Sequence, residues 1–301
     1  MAFPTETVYG LGANALDPIA VAKIFKLKER PSFDPLIVHI ASFDDLEKLT
    51  RNLDEKVMLL ARHFWPGPLT IVLNKSDIVP EIVTSGLATV GIRMPDNEIA
   101  LELIRRSGCP IAAPSANKFG KLSPTSAAHV KKQLLGVDYI LDGGNTDVGI
   151  ESTIVSVENN VLTILRPGKI TLDDIKQALP VTFIYSAKKE KKIIAPGLLK
   201  SHYSPKKPLY ILQNRNIHLP ENSGVILHSR AEKEINALRI IYTSQTNNQL
   251  EIASNLFSAM HALEDDSDIS QIYIEPVAEE GLGLAIMDRI NKAAYQYRKK
   301  K

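Results

Sequence analysis

The sequence contains a single cysteine, Cys109, among 301 residues. That excludes a disulfide framework within the chain and any cysteine-based metal site. Next to Pro110-Ile111-Ala112-Ala113 it reads as a small buried hydrophobe. No apolar run of about eighteen residues occurs, so no helix is expected to span a membrane. The N-terminus lacks a basic stretch followed by an apolar one, so no signal peptide is expected and the default compartment is the cytoplasm. Charge of one sign is also scarce. Lys and Arg number 36 against 34 Asp and Glu, a formal net charge of +2. Nothing in that total demands nucleic acid, and only a local basic face could serve such a role. The chain shows no internal repeat, no zinc-type ligand spacing and no P-loop. Glu280-Gly281-Leu282-Gly283 lacks the third glycine of a dinucleotide fingerprint.

What is present is a well-supplied core and a strand–helix alternation. Hydrophobic residues make up 44% of the chain, and its length suits two domains. Asp17-Pro18 opens a helix with an apolar stripe of Ile19, Ala22, Ile24 and Phe25 and a basic end. Leu36–Ile40 reads as an interior strand interrupted by His39. Asp54–Phe64 reads as a helix, followed by strands at Leu69–Leu73 and Thr89–Arg93 and a helix over 97–107. Pro110–Ala113 is a buried strand opening into Pro114-Ser115-Ala116-Asn117, small polar residues where α/β sheets bind ligands. A helix is expected from Ser123 through Leu135 and a strand at Tyr139–Leu141. A hairpin turns over Asn159-Asn160, and Thr171 with Asp174 caps a short helix. A charged run from Ser186 to Lys192 reads as a linker, and the His202-Tyr203 segment after it reads as docked rather than free. From Pro208 onward strands alternate with helices, as in a small three-layer α/β domain.

The run from Pro4 to His39 holds a hydroxyl-rich turn, the Lys28-Glu29-Arg30 tripeptide and His39. Two cations beside a helix end suggest an anion site. Lys28 alone is also explained by the helix dipole, and His39 alone by a hydrogen-bonded core position. Arg93 at a strand exit could meet a ligand carboxylate or form a surface ion pair. The Thr5-Glu6-Thr7 turn offers hydroxyls and backbone N–H groups to a small polar ligand.

The first 170 residues resemble the YrdC-like family of threonylcarbamoyl-AMP synthases. The segments carrying the resemblance are PTETVYGLGANA (4–15), KERPSFDPLIVHI (28–40), WPGPLT (65–70), VGIRMPDN (90–97), APSANKFGKLSPT (113–125), DGG with GIESTIV (142–155) and RPGKI (166–170). APGLLKSHYSP (195–205) and GLGLAIMDRINKAA (281–294) resemble the two-domain branch. The resemblance implies an α/β (α+β) fold: a twisted mixed sheet with helices and a large concave cleft, plus a C-terminal Rossmann-like domain. It divides the chain into a catalytic domain at 1–185, a linker or lid at 186–205 and the second domain at 206–301. Met1-Ala2-Phe3 leaves little of the strand that precedes the first motif in this family.

The implied reaction joins L-threonine, bicarbonate and ATP into threonylcarbamoyl-adenylate with release of pyrophosphate, so the chain would be a nucleotidyltransferase. By motif match, Lys28, Arg30, Ser115 and Asn117 form the catalytic set. Thr5, Thr7, His39, Arg93, Ala113 and Ser152 hold threonine. Asp34, Thr89, Ser123, Arg166 and Tyr203 join Lys28, Arg30 and Ser115 on the ATP side, and His202 and Tyr203 belong to the lid. Asp34 stands where asparagine is common in the family. No metal ligand is expected from the protein; magnesium would be held by phosphates. The product would pass to a tRNA threonylcarbamoyl transferase, with tRNA itself contacted weakly or indirectly. The competing reading is an RNA-binding module of the same fold without synthase activity. Thr7, His39, Arg93 and Ser152 would then be superfluous.

Overall fold

In the computed structural model, residues 1–179, 184–186, 196–197, 199, 201–230 and 235–297 are described. Part of the expected linker at 186–205 therefore lies outside the described residues. Three short strands open the chain, β1 (Ala2–Phe3), β2 (Gly10–Leu11) and β3 (Ala13–Asn14), and helix α1 (Pro18–Lys28) follows. The Asp17 side chain accepts from the Ile19 and Ala20 amides, and Glu29 closes the helix in the left-handed region at φ 56°. α1 buries Val21, Ile24 and Lys28. Ile19 and Ala22, expected on the apolar stripe, are exposed, because the face that meets the sheet is set by Val21 and Lys28.

The chain continues through β4 (Ile37–His39), α2 (Phe43–Leu49), α3 (Glu55–Phe64), β5 (Leu69–Asn74), α4 (Glu81–Thr84) and β6 (Thr89–Arg93). Then come α5 (Glu98–Ser107), β7 (Ile111–Ala112), α6 (Ala127–Gln133), β8 (Thr153–Glu158), β9 (Val161–Arg166), α7 (Leu172–Ala178) and β10 (Ile184–Ser186). The expected helix from Ser123 starts only at Ala127, with Ser126 as its cap. Residues 123–125 are diverted: the Pro124 and Thr125 carbonyls accept from the Tyr9 and Thr146 amides. The expected strand at 139–141 reduces to one bridge between Ile140 and Ala2. Cys109 is half-buried rather than buried.

β1 and β2 pair with each other. The main sheet has the order β10-β9-β8-β5-β6-β4-β7-β3 and mixes parallel with antiparallel pairs. Alternation assigns its faces. Val38, Ile71, Ile92 and Val155 enter the large core with residues of α1, α2 and α3. Their neighbours Ile37, Val72 and Ile154 form a small cluster on the other face. His39 and Arg93 are in register on parallel strands and alternate with that core set, so both belong to this second face. One strand period thus explains why a histidine and an arginine occupy otherwise apolar strands.

The last third folds as β11 (Leu209–Ile211), β12 (Ser223–Leu227), β13 (Arg239–Tyr242), α8 (Gln249–Asp265), β14 (Gln271–Ile274) and α9 (Gly283–Ala294). Its four strands are all parallel, in the order β11-β14-β12-β13. A parallel sheet fits the expected α/β domain, but among the described residues both helices lie on one face, so connecting segments stand in place of the expected third layer. Both helices pack on one face with Ile226, Ile272 and Ile274, together with Leu122, Val148, Ile150 and Tyr203 from earlier in the chain. Among the described residues the opposite face is covered by Leu212, Leu219 and Ile235 from connecting segments. α8 and α9 therefore lie between the small sheet and the connecting segments around Leu122, Ile150 and Tyr203.

Candidate active site

A cavity on the second face of the main sheet is lined by Thr5, Thr7, Arg30, His39, Arg93, Ala113, Ser115, Ser152, Arg166, His202 and Tyr203 among the expected residues. It has about 50 Å³ open to water-sized groups, room for a few waters on that measure. Glu151, Pro196 and Gly197 also line it.

The residues expected on the threonine side are tied to one another. Thr5 and Thr7 share a hydrogen bond between hydroxyls at 2.8 Å, and the Thr5 hydroxyl donates to the Val8 carbonyl at 2.7 Å. Arg93 donates to the Thr7 hydroxyl at 2.9 Å, and its other terminal nitrogen lies 2.5 Å from a carboxylate oxygen of buried Glu6 in ion-pair contact. His39 is buried, and desolvation, helped by the Arg93 charge, lowers its pKa to about 3. It is therefore neutral at physiological pH. Ser152 meets Thr70 hydroxyl to hydroxyl at 2.8 Å.

The cationic side is equally tied. Arg30 forms a buried ion pair with Asp34 at 3.0 Å and donates to the Asp34 and Pro35 carbonyls. Asp34 thus faces a cation, and burial raises its pKa. Lys28 is buried beside the cavity rather than lining it, and donates to the Ser115 and Asn117 carbonyls at 2.6 and 2.5 Å. Burial, reinforced by the Arg30 charge, lowers its pKa well below the ordinary lysine value. Asn117 also lies outside the lining and uses its amide N–H groups on the Lys118 and Lys121 carbonyls. Together these contacts fix the Ser115–Asn117 turn. Arg166 donates to the Ser152 carbonyl at 3.1 and 2.9 Å and to its hydroxyl at 3.0 Å.

Two expected ATP contacts stand apart. Thr89 lies at the far end of β6, in a smaller adjoining cleft with Thr70, Gly91 and Pro196. Ser123 does not line the cavity; its hydroxyl donates to the Glu151 carboxylate. The pair expected in the lid, His202 and Tyr203, lines the cavity: the His202 ring is edge-on to Phe119 and Tyr203. Tyr203 has φ 59°, a conformation that a non-glycine residue keeps only when its surroundings impose it. Desolvation lowers the His202 pKa to about 3 and raises that of Tyr203.

Sequence reasoning did not single out Glu6, Glu151 or Arg289. Burial opposes ionisation of Glu151, but Arg289, Arg166 and the Ser123 hydroxyl outweigh it and hold its carboxyl at about 2. All three lie inside motif segments already quoted. Arg289 carries its own signal, a lone arginine on a helix face otherwise made of Ala285, Ile286, Ile290 and Ala293. Buried polar atoms with neither a hydrogen-bond nor an ion-pair partner in the protein gather here: one oxygen each of Glu6 and Asp34, Nδ1 of His39 and of His202, Asn117 Oδ1 and the Tyr203 hydroxyl. Such groups are rare in interiors and cluster where a polar ligand belongs. Among the described residues no three His, Cys, Asp or Glu side chains converge as a metal site. No helix among them is long and apolar enough to cross a membrane.

Comparison with known proteins adds relatives to this geometry. A family model for Sua5, YciO and YrdC, described as telomere recombination, matches residues 1–168. A second, described as threonylcarbamoyl-AMP synthase, C-terminal domain, matches residues 170–295. The threonylcarbamoyl-AMP synthase of Pyrococcus abyssi is 43% identical, with 98% of this chain and 90% of the relative covered. That of Bacillus subtilis is 42% identical, covering 98% and 89%. The crystal structure of P. abyssi Sua5 complexed with L-threonine superposes with a TM-score of 0.86 at 41% identity, covering 98% of this chain and 90% of the other.

Proposed function

The chain belongs to the Sua5/YciO/YrdC family, in the form that carries a threonylcarbamoyl-AMP synthase C-terminal domain, and from that premise we propose that it makes threonylcarbamoyl-adenylate from L-threonine, bicarbonate and ATP. The class is nucleotidyl transfer, in the cytoplasm, with the product passed to a tRNA threonylcarbamoyl transferase. The threonine amine adds to bicarbonate with loss of water to give a carbamate. A carbamate oxygen then attacks the α-phosphorus, and pyrophosphate departs. The substrate supplies the nucleophile, so the protein's work is positioning and charge stabilisation.

The observation that supports this reading is one cavity where hydroxyls with Arg93 and cations with Ser115 meet, edged by unpartnered buried polar atoms. Arg93 offers a fork to the threonine carboxylate, and Thr7 and Ser152 offer hydroxyls. Neutral His39 can accept from the amine. Arg30 and Arg166 face the phosphates. The phosphate charge also favours the ammonium form of Lys28, reversing its desolvation. A magnesium ion would come with ATP, since the cavity offers cations and hydroxyls rather than a carboxylate cage. When bound, it would neutralise charge on the departing pyrophosphate. Residues 1–185 form the catalytic domain, 186–205 the lid and 206–301 the second domain in this reading. A solved variant of P. abyssi Sua5 in which an adjacent histidine and tyrosine are both alanine gives a comparison for His202-Tyr203.

The test is pyrophosphate release that requires both threonine and bicarbonate. Lys28→Ala and Arg30→Ala should each lower the rate by about 100-fold or more. Unchanged rates in both variants would refute the site, and release independent of threonine would refute the reaction.

A further inference from the structure

Arg289 of α9 is the largest fully buried side chain in the described molecule, with none of its surface exposed. Its Nε donates to the Glu151 carboxylate at 3.0 Å and its Nη2 to the Glu151 carbonyl at 3.2 Å. Its Nη1 donates to the Pro167 carbonyl at 2.7 Å. Glu151 precedes Ser152, and Pro167 follows Arg166. One guanidinium therefore ties the two backbone positions that flank a hydrogen-bonded pair in the cavity wall. The two segments touch: a Cβ at Gly168 would lie 2.4 Å from the Thr153 amide nitrogen. The same guanidinium carbon lies 5.6 Å from the centre of the Tyr203 ring.

One turn further along α9, Lys292 donates to the Gly197 carbonyl at 2.7 Å and pairs with Asp288 at 2.7 Å. The Ser204 hydroxyl donates to the Ala293 carbonyl at 3.2 Å. The segment that covers the cavity is thus fastened to α9 at two of its described residues, Gly197 and Ser204. A buried ion pair is a poor source of net stability, since a well-packed apolar replacement often does as well. Its geometry, two carbonyls and two carboxylates on one planar fork, Asp288 accepting from Nη1 at 2.9 Å, instead fixes position.

We propose that α9 is a positioning element of the active cavity: Arg289 sets Ser152 and Arg166 through Glu151 and Pro167, and Lys292 holds the covering segment through Gly197. The proposal rests on the synthase reading and gives the second domain a part in catalysis. The test uses the full chain as Arg289→Met, Arg289→Lys and Lys292→Met, with kcat, KM and melting temperature measured for each. Arg289→Met should lower kcat by about 100-fold, the cost of misplacing a reacting group by about an ångström. Arg289→Lys keeps the charge but not the fork, and should recover about a tenfold part of that loss. Lys292→Met should raise the KM for ATP about tenfold with little change in melting temperature. A purely structural role would lower the melting temperature and leave kcat and KM of the folded protein at wild-type values; that result overturns the proposal. Should Arg289→Met fail to fold, wild-type kinetics in Lys292→Met overturn it alone. A wild-type chain without threonine-dependent pyrophosphate release would overturn both the synthase reading and this one; an active wild type with indifferent variants overturns only this one.

Discussion

Lowering the pH from about 7.5 to 5.5 should destabilise this fold by about 4 kcal/mol through three buried histidines. His39, His202 and His261 each titrate near 3 instead of 6.5. Burial is the main cause in all three. Arg93 reinforces it at His39, and stacked His129, 3.9 Å away ring to ring, reinforces it at His261. Each also has an Nδ1 without a protein partner, so a proton there would be a buried, unanswered donor. In the unfolded chain these rings take up protons as the pH passes 6.5, while the folded chain resists until about 3. Their contribution to stability is therefore complete above 6.5 and is lost as the pH falls towards 3. At pH 5.5 the difference is worth about 1.4 kcal/mol for each ring. Glu151 does not contribute there, because its window runs from 4.5 down to about 2. The assay is urea unfolding at both pH values, in the wild type and in His261→Gln. That variant can still donate to the Ser123 carbonyl that His261 contacts at 3.1 Å. It should lose about 1.4 kcal/mol less than wild type on acidification. A wild-type loss below about 1 kcal/mol, or an equal loss in the variant, would refute the argument.

Two further outcomes follow from the cavity wall. Gly168→Ala places a methyl 2.4 Å from the Thr153 amide nitrogen and 2.8 Å from the Glu151 carbonyl oxygen. It should cost about 3 kcal/mol, and a wild-type melting temperature would contradict that packing. Asp34→Asn leaves Arg30 without the carboxylate it pairs with at 3.0 Å. It should lower the melting temperature and lower the KM for ATP roughly fivefold, the effect of one unit charge at moderate distance and effective dielectric. A KM for ATP that is unchanged or higher would show that Asp34 does not oppose the phosphates.

Local signals in the sequence are faithful where the interaction is local. Asp17 caps α1, and Thr171 with Asp174 forms a reciprocal capping box. Asn159 and Asn160 both take positive φ, 48° and 64°, in the β8–β9 turn. They fail where a distant strand decides. Ser123-Pro124-Thr125 has the look of a helix start, yet Tyr9 and Thr146 capture its carbonyls and Glu151 its serine hydroxyl. β1, β2 and β3 span two residues each, too short for any period to register. The site shows the same division. Spacing suggested an anion site at Lys28 and Arg30, and the motif match brought them together with Ser115 and Arg93. Of the carboxylates that balance them only Asp34 was singled out; Glu6 and Glu151 were not legible, because a glutamate inside a motif gives no sign of which cation it faces.

That balance alters how the cavity must work. Around it, Lys28, Arg30, Arg93, Arg166 and Arg289 stand against Glu6, Asp34 and Glu151. Several of these cations are engaged before any substrate arrives: Arg93 with Glu6, Arg30 with Asp34 and Arg289 with Glu151. A polyanion entering such a site competes with fixed carboxylates for each guanidinium rather than meeting free charge. The competition discriminates, because only a ligand whose anionic groups match several cations at once recovers what it displaces. In the proposed reaction a threonine carboxylate at Arg93 and phosphates at Arg30 and Arg166 would meet that condition jointly; a single small anion would not. On the proposed reading these carboxylates, of which Glu6 and Glu151 escaped the sequence reading, would make binding of the two substrates interdependent.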